Sequence, residues 1–352
     1  MKIGVLGGGQ LGRMLGLAGV PLGHEFVFFD DGDAPCTAAV GEVRRLGPLG
    51  ELGDLDVLTY EFENVFAAVD AAARSGVTVA PARRAIEVSS DRLSEKDFFT
   101  SLRIPTARYR PFSTQAELEQ AAEDLGFPCV AKTRRFGYDG KGQRVLEKPE
   151  DAEGLADGTE MLLEAFVPFG RELSIVCTRA ADGQKAFYPV VQNMHSAGIL
   201  RTTIAPAPDL AAELQTHAEG MIGAIADELG YLGTLALELF QLNDELMANE
   251  MAPRVHNTGH WTIEGAETSQ FENHVRAITG LPLGSTAARG ACAMVNLIGV
   301  DPNPKRILAI DGAHYHWYGK EVRPGRKVGH VTLVAEDSET LGRRMAELSA
   351  VI

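Results

Sequence analysis

An apolar strand, Ile3–Leu6, runs directly into Gly7, Gly9 and Gly12, spaced G-x-G-x-x-G, and a helix from about Gln10 to Ala18 follows. Few patterns restrict a fold so tightly. A strand that ends in such a turn, with a helix packed back onto it, predicts the first unit of a parallel sheet. A second strand, Glu25–Phe29, ends in Asp30 and Asp31, about where dinucleotide-binding folds place a ribose-gripping acid. Taken alone, this window points to NAD. Strand Asp56–Thr59, helix Phe66–Ser75 and strand Val77–Ala80 continue the rhythm to about residue 85. They predict a small sheet with helices on both faces.

The remainder is too long for one ordinary core. With 352 residues and roughly 150 per domain, two or three domains are expected. The net charge of −15, from 33 basic and 48 acidic side chains, argues against general binding to nucleic acid or anionic membranes. An anionic ligand therefore requires positive charge gathered locally. Cys36, Cys129, Cys177 and Cys292 lie far apart without C-x-x-C spacing, so free thiols and a reducing cytoplasm are expected. The N-terminus shows no leader pattern and no apolar run reaches about 18 residues, which predicts a cytoplasmic protein with no membrane span.

Segment 89–103 predicts a helix capped by Ser89 or Ser90, with Leu93, Phe98 and Leu102 on its apolar side. Thr114–Leu125 and Leu210–Leu229 are expected helices. Pro128–Lys132, Met161–Ala165, Glu172–Thr178, Ala186–Val191, Gly233–Phe240 and Glu245–Glu250 are expected strands. From about Phe271 the pattern predicts a helix around Ala287–Leu297, strands near Tyr315–Tyr318 and Val331–Val334, and a helix from Glu339.

Four stretches carry chemistry. In VAKTRRFGYDGKGQR (130–144) a strand delivers Lys132 to a loop with Gly137, Gly140 and Gly142. Backbone N–H groups with Lys132 and Lys141 make a phosphate cradle that is not a Walker loop; the other reading is a hairpin turn with charged tips. Glu238 and Glu250 each lie six residues from Asp244, so a hairpin centred there sets them opposite one another. With Asn249 they form a hard oxygen site suited to Mg²⁺, or Mn²⁺, at nucleotide phosphates; the alternative is a solvent-facing pair. Arg254, His256, Asn257 and His260 follow as an expected active-site rim. Lys320, Arg323, Arg326, Lys327 and His330 surround a Pro-Gly turn, either as a phosphomonoester site or as a solvated basic turn.

Together GGGQLGRM (7–14), YEFENV (60–65), SSDR (89–92), KTRRFGYDGKGQ (132–143), NMHSAGILR (193–201), ANEMAPRVHNTGHWTIEGAETSQFE (248–272) and KEVRPGRKVGH (320–330) resemble the 5-(carboxyamino)imidazole ribonucleotide synthetase family. These are ATP-grasp carboxylases of purine synthesis. The resemblance runs from one end of the chain to the other. It implies an α/β and α+β architecture: a Rossmann-like domain over 1–85 without a nicotinamide role, an ATP-grasp domain over 86–270 and a small C-terminal domain over 271–352. ATP, bicarbonate and 5-aminoimidazole ribonucleotide are the implied substrates, Mg²⁺ the metal, and a homodimer the assembly. NAD is not implied; Gly7–Gly12 instead shapes the substrate pocket.

The implied roles follow the motifs. Arg92, Lys132 and the loop Gly137, Tyr138, Asp139, Gly140, Lys141, Gly142 and Gln143 match ATP-binding positions. So do Glu164, Ala165, Phe166 and Val167, whose backbone would read adenine, Glu172 at the ribose, and His195. Glu238 and Glu250 match magnesium ligands, with Asn249 beside them, and Glu250 also borders the nucleotide. Tyr138, Asp139, Arg254, His256, Lys320, Arg323, Arg326 and Lys327 match the ribonucleotide side, with Glu61 or Glu63 at its ribose. Lys132, Arg254 and Asp139 are the implied catalytic groups, Asp139 orienting or deprotonating the amine. Another ATP-grasp ligase of purine metabolism is the alternative reading.

Overall fold

The computed structural model describes residues 1–46, 52–137 and 142–352. The first sheet is parallel, in the order Glu42–Arg44, Glu25–Phe29, Lys2–Leu6, Val57–Tyr60, Thr78–Val79. Its central strands are buried on both faces, which is why they read as continuous apolar runs. Gly7 takes φ 117°, and a Cβ on Gly12 would sit 2.9 Å from the Gly7 carbonyl oxygen. Glycine is thus required for the helix Gln10–Gly19 to start this close to the strand end.

Segment 89–103 differs from expectation. Ser89 ends a separate helix, Arg83–Ser89, and Asp91 caps the next one, Arg92–Ser101, accepting from the Leu93 amide at 3.0 Å. Asp91 also receives Arg134 and Arg135 at 2.7 and 3.0 Å, a role neither serine could fill. A four-stranded sheet follows, ordered Tyr109–Phe112, Met161–Ala165, Cys129–Thr133, Gln143–Leu146. Helix Gln115–Leu125 packs on it, closed by a reciprocal capping box of Thr114 and Glu117.

The largest sheet is antiparallel. Its path is Glu245–Ala252, Gly233–Leu242, Arg171–Arg179, Val191–Ser196, Ile199–Ala205, Ala291–Ile298, Lys327–Ala335, Ala313–Trp317. Lys185–Phe187 pairs beside this path, because Pro189 divides the single strand expected over Ala186–Val191. Leu173, Ile175, Cys177, Leu235, Leu237 and Leu239 line one face and pack under the helix Ala212–Glu228. Alternation sends Glu172, Ser174 and Glu238 to the other face. The strands after residue 290 extend this same sheet.

The helix expected around Ala287–Leu297 is instead the strand Ala291–Ile298. Its two faces enter different cores, Cys292 and Met294 in one and Ala293 and Leu297 in the other, so its apolar run lacks the alternation that marks a half-exposed strand. The hairpin strand Ile199–Ala205 and the helix Gln270–Thr279 are additional elements. All four cysteines are free. No helix among the described residues is long and apolar enough to cross a membrane.

Candidate active site

The hairpin that carries the two acids is irregular. Leu242 pairs with Glu245, so its centre lies between Asn243, at φ 53°, and Asp244. A regular ladder from that turn would set Glu238 against Asn249. Leu239 pairs with Ala248 and Glu238 with Glu250, so Asn249 is the extra residue of a bulge. The bulge shifts Glu250 by one position and onto the face of Glu238. The Asn249 Oδ1 is buried with no hydrogen-bond partner among the described residues.

Arg92 Nη1 donates to Glu250 Oε2 at 2.8 Å. Burial opposes charge on Glu250, but Arg92, Lys132 and Lys96 outweigh it and hold the carboxyl below its usual range. Glu238 is pushed up to about 7, first by burial and then by the charge of Glu250. Of two acids so placed, Glu238 is the one that takes up a proton more readily, unless a cation joins them. Two carboxylates and an unsatisfied amide oxygen suit a hard divalent cation that draws further ligands from phosphates. Among the described residues there is no cluster of three or more His, Cys, Asp or Glu able to hold a metal alone.

Lys132 donates to Glu164 Oε2 at 2.9 Å, and Lys96 lies 3.5 Å from the same oxygen. The Glu164 side chain is thus an internal anchor, and Ala165 pairs with Cys129 in the ladder. Phe166 and Val167 follow outside the strand, Phe166 exposed. Glu172 and His195 are 2.6 Å apart across paired strands. Burial works against charge on the His195 ring, but the Glu172 carboxylate raises its pKa overall. Gly137, Gly142 and Gln143 flank the loop, and Gln143 pairs with Lys132. Tyr138, Asp139, Gly140 and Lys141 lie outside the described residues.

The glycine turn near the N-terminus carries its own anion. Glu61 accepts from the Gly9 amide at 2.6 Å and the Gly12 amide at 2.7 Å, while Asp30 accepts from Gly8 at 2.8 Å. The donors that hold a pyrophosphate in dinucleotide folds are already engaged, which removes the local case for NAD. Glu63 pairs with Arg254 at 2.9 Å. His256 Nε2 stands 3.5 Å from Glu238, and burial with nearby Arg254 and Lys327 keeps the ring neutral.

The expected rim is only partly a rim. Asn257 bonds reciprocally with Asn296, and His260 is buried against His330 with ring centroids 4.9 Å apart. The basic turn also divides. Lys320 donates to Gln10 Oε1 and sits 5.9 Å above the Tyr318 ring. Arg326 reaches the Glu321 carbonyl at 3.3 Å, and the charge of Lys327 acts on Glu238, His195 and His256. Arg323 instead points outward to Glu321, and His330 is a neutral, buried ring bonded to Tyr318 at 2.6 Å. Arg323 is thus paired at the surface, and burial keeps His330 neutral.

Sequence reasoning overlooked Glu95 and Lys96, buried on the helix Arg92–Ser101. Their signal was present: Arg92, Glu95, Lys96 and Phe99 recur at helical spacing on one side, and Phe99 is core.

A small sheet that carries Lys132 beside a larger antiparallel one that carries opposed carboxylates is the build of an ATP-grasp ligase. Residues 97–271 match the ATP-grasp domain, residues 1–90 the ribonucleotide synthetase preATP-grasp domain, and residues 292–344 the phosphoribosylaminoimidazole carboxylase C-terminal domain. The N5-carboxyaminoimidazole ribonucleotide synthase of Pseudomonas aeruginosa is 48% identical over 100% of this chain and 99% of its own. The crystal structure of the Thermus thermophilus synthetase superposes with TM-score 0.94 at 49% identity, covering 99% of this chain and 98% of that one. The Aspergillus clavatus synthase, solved with ADP and 5-aminoimidazole ribonucleotide, superposes with TM-score 0.88 at 29% identity over 99% of each chain. The chain belongs to the N5-carboxyaminoimidazole ribonucleotide synthase family and is a ligase of purine biosynthesis.

Proposed function

We propose that this chain joins bicarbonate to the exocyclic amine of 5-aminoimidazole ribonucleotide and cleaves ATP to ADP and phosphate. A bicarbonate oxygen attacks the γ-phosphorus, the bond to the ADP oxygen breaks, and carboxyphosphate forms. The amine nitrogen then attacks its carbon as phosphate leaves, or attacks the carbon dioxide that remains once phosphate has left, and the amine loses a proton to give the carbamate. Neither step needs an enzyme nucleophile; both need positioning and neutralised charge.

Glu238 and Glu250 would hold Mg²⁺, which supplies charge neutralisation at the β- and γ-phosphate oxygens. Arg92 keeps Glu250 ionised for that task. Lys132, fixed by Glu164, adds a cation at the phosphates. Glu172, oriented by His195, takes the nucleotide ribose. On the ribonucleotide side, Arg326, Lys320 and Lys327 meet the phosphate, Arg254 and His256 border the reacting groups, and Glu61 meets the ribose. Asp139 carries its role with the amine on resemblance alone. The division near residues 85 and 270, the homodimer and the cytoplasmic setting belong to the same reading.

The observation that carries this is the pairing of Glu238 with Glu250 through a one-residue bulge beside an unsatisfied Asn249 oxygen. The test is phosphate release from MgATP with bicarbonate and 5-aminoimidazole ribonucleotide, each omitted in turn. Release that depends on both, with formation of the carbamate, is expected. Release indifferent to the ribonucleotide overturns the reading.

A further inference from the structure

The helix Arg92–Ser101 turns Arg92, Glu95, Lys96 and Phe99 to one side. Phe99 enters the core, and the three charged residues all meet the strand that carries Glu250. Glu95 Oε1 accepts from the Met251 amide at 2.7 Å. Lys96 Nζ donates to the Asn249 carbonyl at 3.0 Å and to Thr106 Oγ1 at 2.8 Å. Thr106 Oγ1 in turn donates to the Ala248 carbonyl at 2.8 Å. The residues immediately before and after Glu250 are therefore each gripped by a side chain of one helix, while Arg92 takes its carboxylate.

The ladder resumes at Glu250, opposite Glu238, but it leaves the extra residue Asn249 without a ladder partner, so the backbone just before Glu250 needs support from outside the hairpin. Glu95 and Lys96 are 2% and 1% exposed, and an apolar pair would fill that space without desolvating two charged groups. An apolar pair could not hold a carbonyl on one side of Glu250 and an amide on the other.

We propose that Glu95 and Lys96 are positioning residues that hold the Asn249 bulge in register and so aim Glu250 at the metal–nucleotide complex. This rests on Glu250 being a metal ligand. It predicts that the two side chains matter for the magnesium complex of ATP and not for ATP binding as such.

Calorimetric titration of the full chain with ATP, in excess Mg²⁺ and again in chelator, reads that difference. The wild type is expected to bind the magnesium complex more tightly; if it does not, the metal reading of Glu250 falls and not this proposal. Glu95→Ala and Lys96→Met are expected to reduce the preference for the magnesium complex by about tenfold, the first losing the bond to the Met251 amide and the second those to the Asn249 carbonyl and Thr106. Glu95→Gln, which keeps the acceptor for Met251, is expected to restore the wild-type preference. A role in packing alone would lower the melting temperature of Glu95→Ala and leave the preference unchanged, and that result overturns the proposal. Should Glu95→Ala fail to fold, Thr106→Val decides: it loosens the same clamp at nearly constant volume. A smaller loss of preference supports the proposal, and an unaltered preference overturns it.

Discussion

Glu238 and Glu250 face each other only because Asn249 adds one residue to the returning strand. The two acids are opposed in space yet unequal in charge, since Arg92 serves Glu250 alone. Glu238→Gln and Glu250→Gln should each cut turnover by roughly a hundredfold or more, as loss of a preorganised electrostatic group does. Their stabilities should diverge. Without metal or nucleotide, Glu238→Gln removes a like charge and leaves stability equal or higher. Glu250→Gln strips Arg92 of its partner and lowers it. Urea unfolding of both variants in chelator is the measurement; equal shifts in the same direction would contradict the asymmetry.

Arg326→Ala should weaken 5-aminoimidazole ribonucleotide by roughly 10- to 150-fold, the range for a lost charge-assisted contact, and MgATP hardly at all. Arg323→Ala should change neither, because Arg323 is exposed and paired with Glu321. Apparent affinities for both substrates in both variants separate the outcomes. A ribonucleotide defect in Arg323→Ala equal to that of Arg326→Ala would return the whole turn to the phosphate site.

His274 joins three elements and must stay neutral to do so. Its Nδ1 accepts from the Thr234 amide at 3.0 Å, so its Nε2 carries the proton and donates to Thr59 Oγ1 at 2.9 Å. Burial lowers its pKa to about 4. The unfolded chain binds this proton below about pH 6.5, and the folded chain refuses it until about pH 4. Stability is therefore lost as pH falls through that window, at up to ~1.4 kcal/mol per pH unit and about 3 kcal/mol in all. His256, His260 and His330 act in the same direction. His274→Gln should make the acid-side loss shallower by about one proton, read from unfolding free energies between pH 7 and pH 5. An unchanged slope would show that His274 titrates normally in the fold.

Calorimetry with NAD should give no signal in the wild type, because the Gly9 and Gly12 amides already donate to Glu61. Glu61→Ala should destabilise the protein by about 1–3 kcal/mol, the cost of leaving such donors unpaired. A wild type that binds NAD tightly would reverse this account of the turn.

The parallel N-terminal sheet was legible because strand, glycine turn and helix alternate at short range. The opposition of Glu238 and Glu250 was also legible, by counting outward from Asp244, although the count is right only through a bulge the sequence does not announce. Asn249 looks like any strand residue, and its irregularity is imposed from outside by Glu95 and Lys96. Strand Ala291–Ile298 passed for a helix because burial on both faces erases the alternation that marks a strand. Asn257 and His260 looked like site residues because the sequence shows neighbours along the chain and not the direction in which a turn sends them.

The self-capped glycine turn bears on how such chains are sorted. Gly9 and its acceptor Glu61 lie 52 positions apart. A search confined to the first thirty residues sees a vacant dinucleotide fingerprint; one that reaches just past the strand Val57–Tyr60 sees it filled. With these amides committed to carboxylates, the helix start offers an incoming phosphate neither the Gly9 nor the Gly12 donor. The backbone shape that elsewhere receives a cofactor's phosphates is here held closed by the chain's own acids.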